Sequence, residues 1–299
     1  MSDSTTAKAC LKLWFGFPVS RAAVASGGSG PAMRSAIIGA YFAEDEKRRR
    51  EFVSASSRLT HRGWQAEAAA LAVTECVALT VRSPRPIENK ETINLLRSLA
   101  TETDWQFVIS QIEAHLAEQR SVEEFARALG LTRGVSGYSL HVVPVAIYAW
   151  LRHPDDFRRA MISALECGGD TDTVGAILGA LMGANLGKSG IPLDWRDHLW
   201  EWPRSVGFVK QVATNLAARQ RGLSFGRSSA ILLAGSNSAE SVFPSGRVAA
   251  RFSPARPTVL TPFATHRARK KLVTDISDAT QTIGCRAQIF AAEHFFSVG

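Results

Sequence analysis

The residues best suited to chemistry by type and spacing are two aspartates, Asp170 and Asp172, in the segment GGDTDT at 168–173. With the hydroxyl of Thr173 they form an all-oxygen donor set with no His or Cys beside it, which suits Mg²⁺, Mn²⁺ or Ca²⁺ rather than zinc. The glycines ahead of them allow the backbone to turn tightly and bring both carboxylates to one point. Capping of the following helix is the alternative interpretation, although capping requires only one such residue.

A second candidate segment is the glycine-rich stretch SGGSGPAMR at residues 26–34, in which Pro31 is well placed for a first helical position. Backbone N–H groups at a helix start bind anions such as a diphosphate. The segment is neither a Walker loop nor a dinucleotide fingerprint after a strand. An ordinary turn therefore remains the alternative.

Two further side chains lie just ahead of predicted helices. His61 precedes an alanine-rich helix at 64–81, and Tyr138 precedes a helix containing Val142. A lone histidine is more often a cap or a core hydrogen-bonding group than a catalyst. For Tyr138, contact with a nucleoside and ordinary core packing are both compatible with the sequence.

The elements that must position these residues are helices. Apolar residues recur at helical spacing throughout the first 218 residues, whereas alternating strand patterns are absent. The clearest faces are Met33-Ala36-Ile37-Ala40-Tyr41, Val142-Val145-Ala146-Ala149-Trp150 and Phe157-Ala160-Met161-Ala164-Leu165. The pattern predicts an all-α fold: a compact multi-helix domain over residues 1–220.

The helix after the aspartates carries a glycine at every fourth position: Gly175, Gly179, Gly183 and Gly187. Each glycine costs about 1 kcal/mol of helix propensity relative to alanine. We therefore expect a neighbouring helix to pack closely against this face.

Residues 221–299 differ in composition from the rest. They are rich in Ser, Gly, Pro and Arg, and we expect a poorly ordered basic extension. From Arg219 onward, 11 Lys and Arg outnumber 4 Asp and Glu, so most of the net charge of +8 lies there. Its phenylalanines follow no ordered pattern among the arginines, and we therefore do not expect a nucleic-acid partner.

The remaining composition argues for a cytoplasmic protein. No apolar run reaches the length of about 20 residues that a membrane helix needs, and the N-terminus has no apolar signal region. The four cysteines lie far apart without a C-x-x-C pair, which fits a reducing compartment. The sequence indicates no oligomeric state.

Four segments, in this order, resemble the ADP-ribosylglycohydrolase superfamily, which includes the dinitrogenase reductase-activating glycohydrolases. The last of the four is the most specific marker, and the resemblance covers roughly residues 8–210. The segments are GGSGPAMRSAIIGAYF (27–42), RLTH (58–61), GVSGYSLHVVPVAIYAWLRHPDDF (134–157) and GGDTDTVGAILGALMGANLGKSGIP (168–192).

The resemblance implies an all-α fold with two Mg²⁺ or Mn²⁺ ions at the bottom of a cleft. It implies hydrolysis of the glycosidic bond between ADP-ribose and a modified protein side chain or a related compound, with a metal-activated water. Asp170, Asp172 and Thr173 are then metal ligands. The implied substrate-binding residues are Ser26, Gly28, Ser29 and Gly30 beside the diphosphate, His61 near the substrate and Tyr138 near the nucleoside.

The chain also departs from the family pattern. Members carry a Thr-Asp-Asp segment near the start that supplies the other metal ligands, and none precedes Gly27 here. Ser29 replaces an asparagine, and His141 stands where many members have an acidic residue. We therefore expect the second metal site, and with it the activity of this chain, to be compromised. A non-catalytic ADP-ribose binder or a crystallin-like structural member of the family is the alternative.

Overall fold

A computed structural model describes residues 4–83, 87–197 and 206–221. Within these ranges the chain is helical and contains no β-strand. The helices are α1 (Ser4–Trp14), α2 (Val19–Ala22), α3 (Gly30–Met33), α4 (Ala36–Tyr41), α5 (Glu46–Arg58), α6 (Trp64–Arg82), α7 (Asn89–Ser98), α8 (Thr103–Ala117), α9 (Val122–Ala128), α10 (Ser139–Arg152), α11 (Phe157–Leu165), α12 (Thr171–Leu186), α13 (Leu193–Asp197) and α14 (Val206–Gln220). A short 3₁₀ turn, Lys188–Gly190, follows α12.

Three helices, α6, α10 and α12, form the centre of the molecule and pack against one another. Their apolar residues lie on more than one side, and long runs of each are buried, including Val142–Leu151 of α10 and Thr173–Ala184 of α12. A helix that is apolar on all sides must be surrounded by other elements. The remaining helices provide that cover, with α3, α4 and α5 against α6, and α8, α9 and α11 against α10.

The all-α prediction is confirmed for the described residues, and so is most of the predicted helical periodicity. The apolar face of α10 is fully buried, and α11 buries all of its predicted face except Leu165, which is 36% exposed. The predicted face at 33–41 is different, because it is divided between α3 and α4. The break falls at Arg34 and Ser35, where the Ser35 hydroxyl donates to the carbonyl of Ala32.

The glycines of α12 only partly meet the expectation of close helix packing. A Cβ atom added at Gly175 would lie 3.5 Å from the Met161 side chain, which is an ordinary contact rather than a backbone approach. Gly187 lies outside the helix, and it ends α12 with a φ of +63°. Its role is that of a C-terminal glycine in a conformation that other residues rarely adopt.

A buried ion pair joins α5 to α6. The guanidinium of Arg49 donates to both carboxylate oxygens of Glu75, at 3.1 and 2.7 Å, and both side chains are almost completely buried. Arg49 also donates to the carbonyls of Phe42 and Ala43, each at 2.8 Å. The pair therefore holds the loop before α5 as well as the two helices.

The predicted basic extension at 221–299 lies, apart from its first residue, outside the described residues. The boundary at residue 220 therefore stays a prediction. Among the described helices, none is both long enough and apolar enough to cross a membrane.

Candidate active site

Asp170 and Asp172 lie together at the start of α12. Asp170 occupies the position before the first helical residue, and its Oδ1 accepts a hydrogen bond of 2.8 Å from the buried Thr173 hydroxyl. The two carboxyl groups are hydrogen-bonded to each other. Negative charge is favoured at this end of a helix, because the unpaired N–H groups point toward it.

The two carboxyl groups have different proton affinities. Burial raises the pKa of Asp170, and the neighbouring Asp172 raises it further, while the hydrogen bond from Thr173 partly opposes the rise. The hydrogen bond with Asp170 lowers the pKa of Asp172. Asp170 therefore holds a proton more readily than Asp172 does.

Glycine backbone fixes the turn ahead of the aspartates. Gly168 and Gly169 have φ of +69° and +82°, and a Cβ on Gly169 would lie 2.1 Å from the carbonyl oxygen of Val135. Val135 N–H donates to the Gly168 carbonyl at 3.0 Å, and Asp170 N–H donates to the Val135 carbonyl at 2.7 Å. Gly134, with a φ of +98°, approaches Gly169 from the other side. Residues 134–138 thus lie directly against the carboxylate turn. This contact is the first of three junctions between the loops of the site.

The same loop pairs with the glycine-rich segment near the N-terminus. Ser29 N–H donates to the Gly137 carbonyl at 3.1 Å, and Ser139 N–H donates to the Gly27 carbonyl at 2.8 Å. The buried Ser139 hydroxyl lies within hydrogen-bond distance of the Gly27 and Gly28 carbonyls, at 2.6 and 2.9 Å. This second junction joins two parts of the chain that are more than a hundred residues apart.

A third junction joins the glycine-rich segment to the residues before α6. Val24 N–H donates to the Thr60 carbonyl at 3.0 Å, and Arg62 N–H donates to the Val24 carbonyl at 2.9 Å. A Cβ on Gly63 would lie 2.4 Å from the carbonyl oxygen of Ser26. The two chain segments are therefore in direct backbone contact.

His61 is fixed within this junction and is 1% exposed. Its Nδ1 lies 2.8 Å from the hydroxyl of Thr60, and its Cε1 would lie 3.2 Å from a Cβ placed on Gly30. The guanidinium of Arg34 donates to the same Thr60 hydroxyl at 2.8 Å and to the hydroxyl and carbonyl of Ser56. Burial lowers the pKa of Arg34 to about 10.

The ring of Tyr138 lies against the glycine-rich segment. A Cβ on Gly27 would lie 2.6 Å from its Cε2, so glycine is needed there to admit the ring. The hydroxyl is hydrogen-bonded to Gln65. Burial and the negative charge of Asp104 raise the pKa of Tyr138, and Gln65 opposes that rise. Tyr138 is therefore held at both its ring and its hydroxyl.

His141 occupies the first turn of α10 beside this tyrosine. Its ring meets that of Tyr138 edge to face at 5.1 Å, and its Nδ1 lies 2.8 Å from the Ser136 hydroxyl. Burial lowers the pKa of His141. A neutral imidazole is thus favoured at this position.

Residues 2–225 match the family of ADP-ribosylglycohydrolases. The chain belongs to the ADP-ribosylglycohydrolase family. The match includes all the loops that form the three junctions, and the resemblance inferred from four short segments is confirmed.

Several curated proteins are similar to this chain over shorter or longer regions. An uncharacterized protein of Archaeoglobus fulgidus is 32% identical over 213 residues, which are 71% of this chain and 65% of that protein. ADP-ribosylhydrolase ARH3 of Bos taurus is 36% identical over 93 residues, 27% of this chain and 24% of that protein. ADP-ribosylarginine hydrolase Tri1 of Serratia proteamaculans is 35% identical over 78 residues, 26% and 21% of the two chains. This chain therefore spans less than two thirds of the length of these relatives.

The structure brings the predicted site residues onto one connected set of loops and helix starts. Asp170 contacts the loop that contains Gly137, that loop pairs with the glycine-rich segment, and Gly30 of that segment contacts His61. Their roles toward a metal or substrate stay predictions.

Two backbone N–H groups of the glycine-rich segment already have hydrogen-bond partners within the protein. Gly28 N–H donates to the Ser26 hydroxyl, and Ser29 N–H donates to the Gly137 carbonyl. The segment uses these donors for its own folding, so an anion there would need other groups.

Sequence reasoning missed four side chains that hold the site. They are Thr60, Gln65 and Ser139, each hydrogen-bonded to a predicted site residue, and Arg34, which donates to Thr60. Their only signal in the sequence is a polar residue next to a candidate position, which is too common to single them out. The pairing of the loops has to be known first.

Proposed function

We propose that this chain hydrolyses the glycosidic bond between ADP-ribose and a modified protein side chain or a related ADP-ribosyl compound. The observation that carries the proposal is the continuity of the site. Asp170, the tyrosine and the histidine lie on loops that hydrogen-bond directly to one another, and Asp172 follows in the first turn of α12. Membership of the ADP-ribosylglycohydrolase family supports the reaction class.

The carboxylate cluster fits a hard divalent cation, Mg²⁺ or Mn²⁺, held by Asp170, Asp172 and Thr173. All the donor atoms are oxygen, and the two carboxyl groups lie close enough to share a proton, whose place a bound cation would take. When bound, such an ion would orient ribose hydroxyls, activate a water and stabilise developing charge at the scissile bond. Two carboxylates and a hydroxyl leave Mg²⁺ mostly hydrated, so we expect weak binding.

The chain's other residues would bind and orient the substrate. Tyr138 would lie near the nucleoside with its ring fixed by the contact at Gly27 and its hydroxyl by Gln65. The segment 26–30 would lie beside the diphosphate, and His61 would lie at the end of that segment. Groups held in place before binding lose less entropy when the substrate arrives.

The test is release of ADP-ribose from an ADP-ribosylated protein, measured with and without Mg²⁺ or Mn²⁺. We expect slow, cation-dependent release by the wild-type chain and none above background by Asp172→Ala. Asp155→Ala removes an exposed aspartate outside the site and is the matched control. If Asp172→Ala releases ADP-ribose as fast as wild type, the metal assignment is wrong. Fast release after removal of the cation by a chelator would contradict the proposed role of the metal.

A second candidate function is ADP-ribose binding without catalysis, or a purely structural role as in crystallin-like members. The observation that favours it is the small donor set. In the described part of the chain, no three or more His, Cys, Asp or Glu side chains form a group that could hold a metal ion. Calorimetric titration with ADP-ribose separates the two functions, since a binder takes up ADP-ribose without turnover and a structural protein does neither.

A further inference from the structure

Three side chains form a hydrogen-bonded series beneath the glycine-rich segment. Arg34 Nη2 lies 2.8 Å from Thr60 Oγ1, which in turn lies 2.8 Å from His61 Nδ1. Thr60 and His61 are buried, at 6% and 1% exposed. The series runs from the end of α3, through the residues after α5, to the histidine of the candidate site.

The direction of each hydrogen bond follows from what each group can do. A guanidinium can only donate, so Thr60 Oγ1 accepts from Arg34. A buried hydroxyl also needs an acceptor for its own proton. Among the described contacts of Thr60 Oγ1, that acceptor is His61 Nδ1. The Thr60 hydroxyl therefore donates to Nδ1, which cannot itself carry a proton.

We infer that Arg34 and Thr60 are positioning residues that hold His61 as a neutral imidazole with its proton on Nε2. In this tautomer, any hydrogen bond that Nε2 makes is one in which the ring donates. A substrate that binds beside His61 would then accept a hydrogen bond from Nε2 through an oxygen atom, such as a ribose or phosphate oxygen. This last step rests on the proposed function, whereas the tautomer itself does not.

The charge of Arg34 acts in the same direction. Its hydrogen bonds go to neutral oxygens of Ser56 and Thr60, and within the described residues it forms no ion pair with a carboxylate. A second positive charge on the neighbouring imidazole would be repelled. Protonation of Nδ1 would also deprive the Thr60 hydroxyl of its acceptor. Both effects favour the neutral ring.

The tautomer can be read directly from ¹⁵N shifts and two-bond ¹H–¹⁵N couplings of the histidine rings in the full-length labelled chain. Signals of His61 are assigned by their loss in His61→Gln. We expect a protonated Nε2 and an unprotonated Nδ1 with the shift of a hydrogen-bonded acceptor. In Thr60→Val, Nδ1 should move to the shift of an acceptor without a hydrogen bond, whereas Thr60→Ser should retain the wild-type shift.

Arg34→Gln supplies the decisive variant, since the glutamine carbonyl can accept the Thr60 proton and release Nδ1 from its role as acceptor. We expect a measurable population with the proton on Nδ1. A wild-type His61 protonated on Nδ1 would overturn the inference even if every variant failed to fold. An unchanged Nδ1 shift in Thr60→Val would overturn it as well.

Titration with ADP-ribose separates this inference from the proposed function. We expect Thr60→Val to bind ADP-ribose up to about tenfold more weakly than Thr60→Ser, the effect of one misdirected hydrogen bond. Equal affinities would refute the role of the tautomer in binding. If the wild-type chain bound no ADP-ribose, the proposed function would fail while the wild-type ring shifts still decided the tautomer.

Discussion

Two regions around α6 are held together by opposite means. At its N-terminal end, the loops of the candidate site meet backbone to backbone, and glycines at 63, 134 and 169 remove the side chains that would separate them. Farther along α6, the contact with α5 depends on the charged pair Arg49–Glu75. The closest approaches at the site end are made by backbone atoms, whereas the α5 end is joined by two long charged side chains.

The difference shows what each region can tolerate. A backbone junction fixes distances to within a hydrogen bond but has no room for a single additional carbon. A buried ion pair can be replaced if both partners change together, because the desolvation of the charges offsets much of their attraction. The site is therefore the more rigidly specified of the two regions, and single substitutions should separate them.

The largest effect is expected for Gly169→Ala. The new methyl group would lie 2.1 Å from the Val135 carbonyl oxygen at a φ of +82°, so the junction cannot form. We expect a loss of more than about 4 kcal/mol in the free energy of unfolding, measured by urea denaturation. Gly168→Ala is the control, because it shares a positive φ but meets nothing within 4 Å. Its cost should be about 1–2 kcal/mol, the cost of a left-handed residue alone. Equal losses of stability in the two variants would mean that backbone strain at positive φ, and not the close approach to Val135, causes the loss.

The next effect concerns the ion pair. Glu75→Leu leaves the Arg49 charge buried without its partner, and we expect a loss of about 3 kcal/mol. The double variant Arg49→Met/Glu75→Leu should recover most of that loss, as a double-mutant cycle by thermal or urea denaturation would show. If the double variant loses as much free energy of unfolding as the two single variants together, the charges are not coupled. The contrast between the ion pair and the glycine junction would then be wrong.

A smaller effect is expected for Ser139→Ala, which removes a buried hydroxyl and leaves the carbonyls of Gly27 and Gly28 with one partner fewer. The loss in stability should be about 1–2 kcal/mol. Ser163→Ala, at an α11 position outside the junctions, is the matched control and should change stability by much less. An unchanged stability in Ser139→Ala would show that backbone contacts alone hold this junction.

The smallest effect is a dependence on pH. Burial lowers the pKa of His141, so this histidine takes up a proton at a higher pH in the unfolded chain than in the folded chain. Stability should fall as pH decreases below about 6.5, the ordinary histidine pKa, and His141→Gln should reduce that slope. His153 at the other end of α10 also has a lowered pKa, mainly through burial. His153→Gln should therefore reduce the slope independently, and a slope unchanged in His141→Gln would contradict the assignment.

The helices were predictable because their apolar residues repeat every three to four positions, as the fully buried face of α10 shows. The division between α3 and α4 could not be predicted in this way. The apolar spacing continues across Arg34 and Ser35, although the helix is interrupted there. The glycines of α12 illustrate the same limit. A regular spacing predicted close packing, but what lies opposite Gly175 is a flexible methionine.

The site was predictable only where its residues carry their own signal. The GGDTDT segment identified the carboxylates and the turn that presents them, and both are found together at the start of α12. The partners of these residues come from distant parts of the chain. Gly134 and Ser139 acquire their importance from what they touch, more than thirty and a hundred residues away in sequence. Single-sequence patterns contain no record of such contacts.

The hydrogen bonds between Val135 and the carboxylate turn connect directly to α10 and α12, which are buried along most of their length. Amide protons in such positions exchange with solvent only when the surrounding structure opens as a unit. The amides of Val135 and Asp170 should therefore exchange as slowly as those in the middle of α12, although both belong to loops. The candidate site would then have no separate unfolding event of its own, and any motion that admits a substrate must occur elsewhere than at this junction.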